Sequence, residues 1–365
     1  MATIRMAREG AVRVTVGVDT HKDAHVARAK DQLGRRLGEK IIPTTPSGYR
    51  ALLAWAKSHG EVATFGIEGT GSYGAGLARY LRSEGKVVIE VIRPNRQARR
   101  RNGKSDPADA DAAASAVLAG DATGQPKAAD ATVEMIRALR VARQTAIKAR
   151  TQAGNAMKAL VVTAPDDLRE YLRELSAIGL VRTCARLRPG KLVDPTAATK
   201  VALRSLALRH EALDTEAKVL EAQLTRLATG VAPELLAVFG LGTDSAGALL
   251  VAAGDNPRRL RSEAAFAMLC GASPVEASSG KVTRHRLNRG GDREANCALY
   301  HIVMVRLRWH QPTKDYMARR TTEGKSKREI IRCLKRYVAR EVYAVLRSMQ
   351  MRDVATAGRA QGEVA

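Results

Sequence analysis

The first 120 residues alternate between runs that suit strands and runs that suit helices, and this restricts the fold more than any other feature. VRVTVGVD (residues 12–19) is β-branched and alternating, which predicts a strand. HVARAKD and RRLGEKII follow across a short turn at Gly34, as in a meander. PSGYRALLAWAKSHG predicts a helix with Ser47 as its cap and Gly60 as its stop. VATFGIE (62–68) predicts a buried strand, YGAGLARYLRSEG a short helix ending at Gly85, and KVVIEVI (86–92) a further buried strand. A cation-dense loop, RPNRQARRRNGK, then leads into KSDPADADAAA, which opens another helix.

The order β-β-β-α-β-α-β-α predicts a ribonuclease-H-like domain, a mixed sheet between helices with acids at the ends of adjacent strands. A Rossmann-type sheet is the rival, but it wants a Gly-rich turn after the first strand and VDTHKDAH has none. Residues 128–230 differ: apolar positions recur at helical spacing with Arg and Lys opposite, broken at Pro165 and at RPGKLVDPTAATK. They predict a long antiparallel helical hairpin, read either as a dimerising coiled coil or as a basic surface for a nucleic acid duplex. From Val231 the chain is mostly helical with Gly-rich turns, and ATAGRAQGEVA at the end predicts disorder. The expected class is multidomain α/β plus α. The parts are residues 1–125 (sheet domain), 126–230 (helical linker), 231–350 (a mostly helical domain) and 351–365 (tail).

Charge narrows the partner. Sixty-one Lys and Arg face 37 Asp and Glu, a formal net charge of +24 spread along the whole length. Neutralising nucleic acid phosphates releases counterions, so a polyanion is expected. Aromatic residues make up only 4%, which argues against a stacking platform for single strands. Cys184, Cys270, Cys297 and Cys333 lie far apart without metal spacing, so free thiols in a reducing cytoplasm are expected. No signal peptide or membrane-length apolar run is visible, and no membrane partner is expected.

Acids are scarce in so basic a chain, yet three crowd into KSDPADADAAA. Asp106 and Asp109 stand three apart, so a helix points both the same way, whereas Asp111 faces elsewhere and reads as surface. One reading makes Asp106 the helix cap, Pro107 the first helical residue and Asp109 a first-turn acid. The other looks to Asp19 and Glu68, each at the end of a strand expected to be a neighbour of the other. Asp19, Glu68, Asp106 and Asp109 would then converge, and four carboxylates repel unless cations sit between them. Two Mg²⁺ ions suit hard oxygen ligands, and a metal pair about 4 Å apart clamps both oxygens of a phosphodiester exchange.

EGTGSYG lacks the Gly-Lys-Ser/Thr ending of a phosphate-binding loop, and EGKSKRE lacks its first glycine. VFGLGTDSAGALL carries the Gly-Leu-Gly turn of a helix-hairpin-helix, which offers N–H groups to a DNA phosphate, or else is a plain helix–helix turn. Ser279 precedes Gly280 in a segment rich in Lys281, Arg284, Arg286, Arg289 and Arg293. By itself such a serine is a loop residue, and no Ser-His-Asp pattern stands beside it.

Taken together, these motifs make the chain resemble the DEDD-type insertion-sequence transposases, also described as bridge-RNA-guided serine recombinases. GVDTHKDAHV carries the first acid, IEGTGSYG the second and KSDPADA the paired acids. VFGLGTDSAGALL, CGASPVEASSG, RGGDREANCALY and GKSKREIIRCLKRY follow in the family's order. Ala272 stands where a larger apolar residue is common, and Asp111 is an extra acid. The resemblance implies a RuvC-like domain, a helical linker and a serine-bearing transposase domain, with Asp19, Glu68, Asp106 and Asp109 as metal ligands. It implies Ser279 as nucleophile, with Ser278 as the alternative, and a covalent phosphoserine that conserves bond energy for strand exchange. Cations then neutralise the phosphate and hold nucleic acid: Arg99, Arg100, Arg101, Lys104, Lys281, Arg284, Arg286, Arg289 and Arg293. Also implied are element-end and target DNA, a non-coding guide RNA, a homo-oligomer (dimer or tetramer) with a site built between subunits, and a prokaryotic cytoplasmic, nucleoid-associated location. Two other readings compete: a metal-dependent Holliday-junction-type nuclease without serine chemistry, and a non-enzymatic nucleic-acid-binding protein whose acids are caps and surface charges.

Overall fold

The computed structural model describes residues 12–91, 105–129, 131–256, 259–281 and 285–362, with side chains as far as 349. By its contacts the chain divides into two compact units, residues 1–131 with 253–261, and residues 132–252 with 262–365.

The first unit is built on a five-stranded mixed sheet. Strands β1 (Arg13–Thr20), β2 (Ala24–Lys30) and β3 (Arg36–Pro43) form an antiparallel meander, while β4 (Glu61–Glu68) and β5 (Val88–Val91) add parallel to β1. The strand order is β3-β2-β1-β4-β5, that of a ribonuclease-H/RuvC-like sheet. Gly34 makes the β2–β3 turn at φ +82°, a conformation that other residues adopt only under strain.

The two faces of the sheet differ in kind. Val14, Val16 and Val18 join Phe65 and Ile67 in a core closed by Leu52 and Leu53 of α1 (Pro46–Ser58) and Leu77 and Leu81 of α2 (Ala75–Ser83). The opposite face of β1 and β4 carries Gly17 and Gly66, which pair in register. Across them lies α3 (Asp106–Leu118), with Ala110, Ala113 and Ala114 buried. A Cβ on Gly17 would stand 2.0 Å from the Ala110 carbonyl oxygen, and one on Gly66 would stand 2.6 Å from Val117 Cγ2. Only glycine lets the helix backbone lie this close to the sheet.

Two caps differ from expectation. Thr45, not Ser47, caps α1: its hydroxyl accepts from Gly48 N at 3.2 Å, because Pro46 already occupies the first helical turn. Ser105, not Asp106, holds the cap position of α3, which frees the Asp106 carboxylate for other contacts. Residues 253–261 return to this unit: Arg261 donates to Thr123 O (2.7 Å) and Asn256 to Pro126 O (2.8 Å).

In the second unit α4 (Thr132–Val162) and α7 (Pro195–Val231) run antiparallel. Arg143 pairs with Glu221 and Arg150 with Asp214, so seven residues forward on one helix match seven backward on the other. Helices α5 (Asp166–Arg173) and α6 (Ala177–Ala185) close the tip over Met157, Leu172, Cys184 and Leu203. Next come α8 (Pro233–Leu236), α9 (Thr243–Ala253), α10 (Glu263–Leu269) and a short ribbon of β6 (Val275–Glu276) and β7 (His285–Arg286). Helices α11 (Arg293–Trp309), α12 (Gln311–Thr322) and α13 (Lys327–Gly362) complete the unit. The tail read as disordered continues α13 to Gly362, since Ala, Arg, Met and Gln favour helix and extending an existing helix costs little.

Candidate metal centre and serine loop

Gly17 and Gly66 each stand two residues before an acid, so Asp19 and Glu68 emerge on the face that α3 covers. The close approach at the glycines brings the first turn of α3, with Asp106 and Asp109, over that end of the sheet. Asp19 and Asp109 are buried, at 8% and 4% exposure, while Asp106 stays open to solvent.

Three side chains meet there. His21 Nε2 lies 3.1 Å from Asp19 Oδ2 and 3.3 Å from Asp106 Oδ2. Donor atoms of Asp19, His21 and Asp106 all lie within 4.8 Å of one another. Burial pushes the Asp19 carboxyl above the ordinary carboxylate range; His21 opposes this, and Asp109 and Asp106 add to it. Two carboxylates with an imidazole, and a third carboxylate close enough to repel, suit a divalent cation. Glu68 is half-buried at the same strand ends, and its carbonyl accepts from the Thr20 hydroxyl at 2.9 Å. Its carboxylate is outside the three-residue group. His21 was not singled out from the sequence, although VDTHKD places an imidazole two residues past a strand-end acid.

Asp111 is not the free surface acid expected. It accepts from Lys30 Nζ at 2.9 Å and Arg36 Nε at 2.8 Å, with only 18% of its side chain exposed. Facing away from Asp109 turned it toward the cations of β2 and β3.

In the second unit Ser279 lies exposed in the loop that joins β6 to β7, with Ser278 beside it and Gly280 at φ +56°. Lys281, Arg286, Arg289 and Arg293 are exposed in the same unit. Arg99, Arg100, Arg101, Lys104 and Arg284 lie outside the described residues. The Gly-Leu-Gly turn serves as a helix–helix turn. Gly240 (φ +81°) packs on Ile302 and Arg306 of α11, and Arg306 donates to Phe239 O at 2.9 Å. The first turn of α9 holds Asp244, paired with Arg140 and Arg143, so an acid already sits where a phosphate would approach. No helix among the described residues is long and apolar enough to cross a membrane.

A ribonuclease-H-like sheet with carboxylates gathered at the ends of its central parallel pair defines an enzyme class that works on the phosphodiester backbone of nucleic acids. The comparisons with known families narrow that class: residues 16–164 match the DEDD-type IS110 transposase family, and residues 232–318 match the family described as Transposase IS116/IS110/IS902. The two matches together span more than half of the sequence, and the chain belongs to the IS110 family of transposases. It is thus an enzyme that acts on DNA. A search of curated proteins finds no match.

Proposed function

We propose that this transposase cleaves and exchanges DNA strands through a covalent phosphoserine at Ser279, with Mg²⁺, as two ions, held by Asp19, Glu68, Asp106 and Asp109. The observation that carries the metal half is the meeting of Asp19, His21 and Asp106 within 4.8 Å beside the buried Asp109. When bound, the ions supply charge to polarise the scissile phosphate. Asp19 and Asp106 hold the ligand positions, and Gly17 and Gly66 keep α3 close enough for both to do so.

Ser279 Oγ attacks phosphorus, and a new O–P bond forms as the bond to the departing strand breaks. The serine proton goes to solvent, and the departing oxygen leaves as a hydroxyl once protonated. A hydroxyl of the incoming strand then attacks the phosphoserine and restores Ser279, so no bond energy is lost. Arg286 and its cationic neighbours offset the charge of the pentavalent phosphate. The roles divide along the chain: residues 1–125 carry the acids, 126–230 act as linker and 231–350 carry the serine. The protein works at the prokaryotic nucleoid as a dimer or tetramer, with an element-encoded RNA choosing the DNA by base pairing.

The test is a denaturing gel with labelled element-end DNA, the element's RNA and Mg²⁺. Wild type is expected to give a covalent protein–DNA adduct that Ser279→Ala abolishes. A second reading, a junction nuclease that activates water, gains from the separation of the acids and Ser279 into different units of the chain. Clean nicks without adduct would favour it.

A further inference from the structure

A cleft of about 800 Å³ opens in the second unit between the start of α11, the segment after β7 and the first turns of α13. Five cations line it: Arg289, Arg293, Arg328, Arg332 and Lys335. The last three stand at i, i+4 and i+7 on one face of α13. We propose that this cleft seats the sugar–phosphate backbone of a nucleic acid strand. The inference rests on the chain being a DNA-handling transposase and not on the serine chemistry.

The pairing of charges supports it. Elsewhere in this unit the cations facing neighbouring helices are matched: Arg140 with Asp244, Arg143 with Glu221, Arg150 with Asp214, Arg306 with Glu341 and Arg336 with Glu263. Among the described residues, no carboxylate stands within ion-pair distance of the five cleft cations. Like charges gathered in a concave surface raise the local potential and cost stability unless a polyanion fills the space.

Fixed geometry supports it as well. Lys335 is half-buried and donates to Asn296 Oδ1 at 2.9 Å, and Asn296 in turn donates to Cys270 O at 2.8 Å. The ammonium is therefore held in place. Burial, then repulsion from Arg332, pushes its pKa down, so an arriving phosphate relieves a strain already present. Tyr300 and Leu287 are 41% and 49% exposed in the lining and give a sugar or base an apolar surface. Leu287 directly follows β7, and the loop at the other end of that ribbon carries Ser279. A strand seated in the cleft would therefore lie at the root of the serine loop.

The test measures binding of the full chain to a labelled element-end DNA duplex and to an RNA of matching sequence across a salt series. Arg328→Ala/Arg332→Ala is expected to weaken binding about tenfold or more and to flatten the log–log salt slope by about 1–2, one per lost phosphate contact. Arg50→Ala/Lys57→Ala on the exposed face of α1 removes the same charge and is expected to change binding little. Loss with the duplex identifies the strand as DNA; loss with RNA alone identifies it as the RNA. Unchanged binding of both nucleic acids, or an equal loss in the α1 variant, overturns the proposal.

A footprint gives an independent readout. Cys297 is exposed in the cleft, Cys184 and Cys270 are buried, and Cys333 can be replaced by Ser. Bound nucleic acid is expected to slow maleimide labelling of Cys297 in Cys333→Ser protein about tenfold, and labelling at the free rate would overturn the proposal. The double Arg variant should melt close to wild type, because it breaks no ion pair and the repulsion it relieves offsets the longer-range attraction of Arg332 to Glu329. If the gel shows no serine adduct while the cleft variant still loses binding, the serine chemistry fails and the cleft assignment stands.

Discussion

Asp109 and Asp111 are two residues apart on α3 and turn to different neighbours, one to the acids at the strand ends and one to Lys30 and Arg36. Lys30 has only 8% of its side chain exposed, so removing its partner leaves a nearly buried, unmatched ammonium. Asp111→Ala is expected to cost about 3 kcal/mol in chemical denaturation. Replacing both partners with apolar residues, Lys30→Met with Asp111→Leu, should recover most of it. His25 offers a second residue-scale prediction. It is fully buried, stacks 6.0 Å from Tyr49, and neither ring nitrogen has a properly placed hydrogen-bond partner among the described residues. Burial pushes its pKa down, so the unfolded chain takes up the proton first. The stability this gives is present above about pH 6.5 and falls as pH drops below it, by at most one proton's slope. His25→Phe should flatten that part of the pH–stability curve. That all four acids serve one site is part of the proposal. Asp19 and Asp106, which the structure brings together, were legible in the sequence by spacing and strand-end position. His21 was not, since a histidine two residues past a strand gains meaning only once the turn brings it back to Asp19 and Asp106.

At the scale of elements, the strand and helix order of the first unit could be read from periodicity, because each run is long enough to show its face. Strands β6 and β7 have two residues each, too few for any period, so the ribbon that presents Ser279 was seen only as a loop. The return of residues 253–261 to the first unit depends on contacts far apart in the chain, such as Asn256 to Pro126, and no local pattern encodes it. The seating of α3 escaped the sequence for a related reason: GVD and GIE were visible, but their glycines matter only through the backbone that lies across them. Gly17→Ala is expected to displace α3 and lower stability by about 3 kcal/mol, because the new methyl meets main-chain atoms that have no room to yield. On the proposed metal-site mechanism, strand cleavage should fall with it, as Asp106 and Asp109 move off Asp19. In a thermal melt of both variants, Gly71→Ala, close to Glu68 but with open space around it, should stay within about 0.5 kcal/mol of wild type.

Over the whole molecule, the +24 charge is not a uniform coat. In the hairpin and along α11 and α13, arginines facing other helices have carboxylate partners, whereas among the described residues the five cations of the cleft, Arg289, Arg293, Arg328, Arg332 and Lys335, have no carboxylate within ion-pair distance, Glu329 reaching Arg332 only at longer range. Composition alone announced a polyanionic partner; only the folded chain shows which cations are gathered into one concave surface. The paired glycines beneath α3 carry a consequence for how such a protein tolerates change. Neither Gly17 nor Gly66 has a side chain to bind a ligand or move a proton, yet, if the proposed metal site is the catalytic one, substitution at Gly17 above all should reduce activity much as losing Asp19 would. On the proposed mechanism, a mutational scan scored by transposition would rank these two with the acids. A scan scored by abundance would separate them, since the glycine variants should fail to accumulate while Asp19→Asn should be made in full.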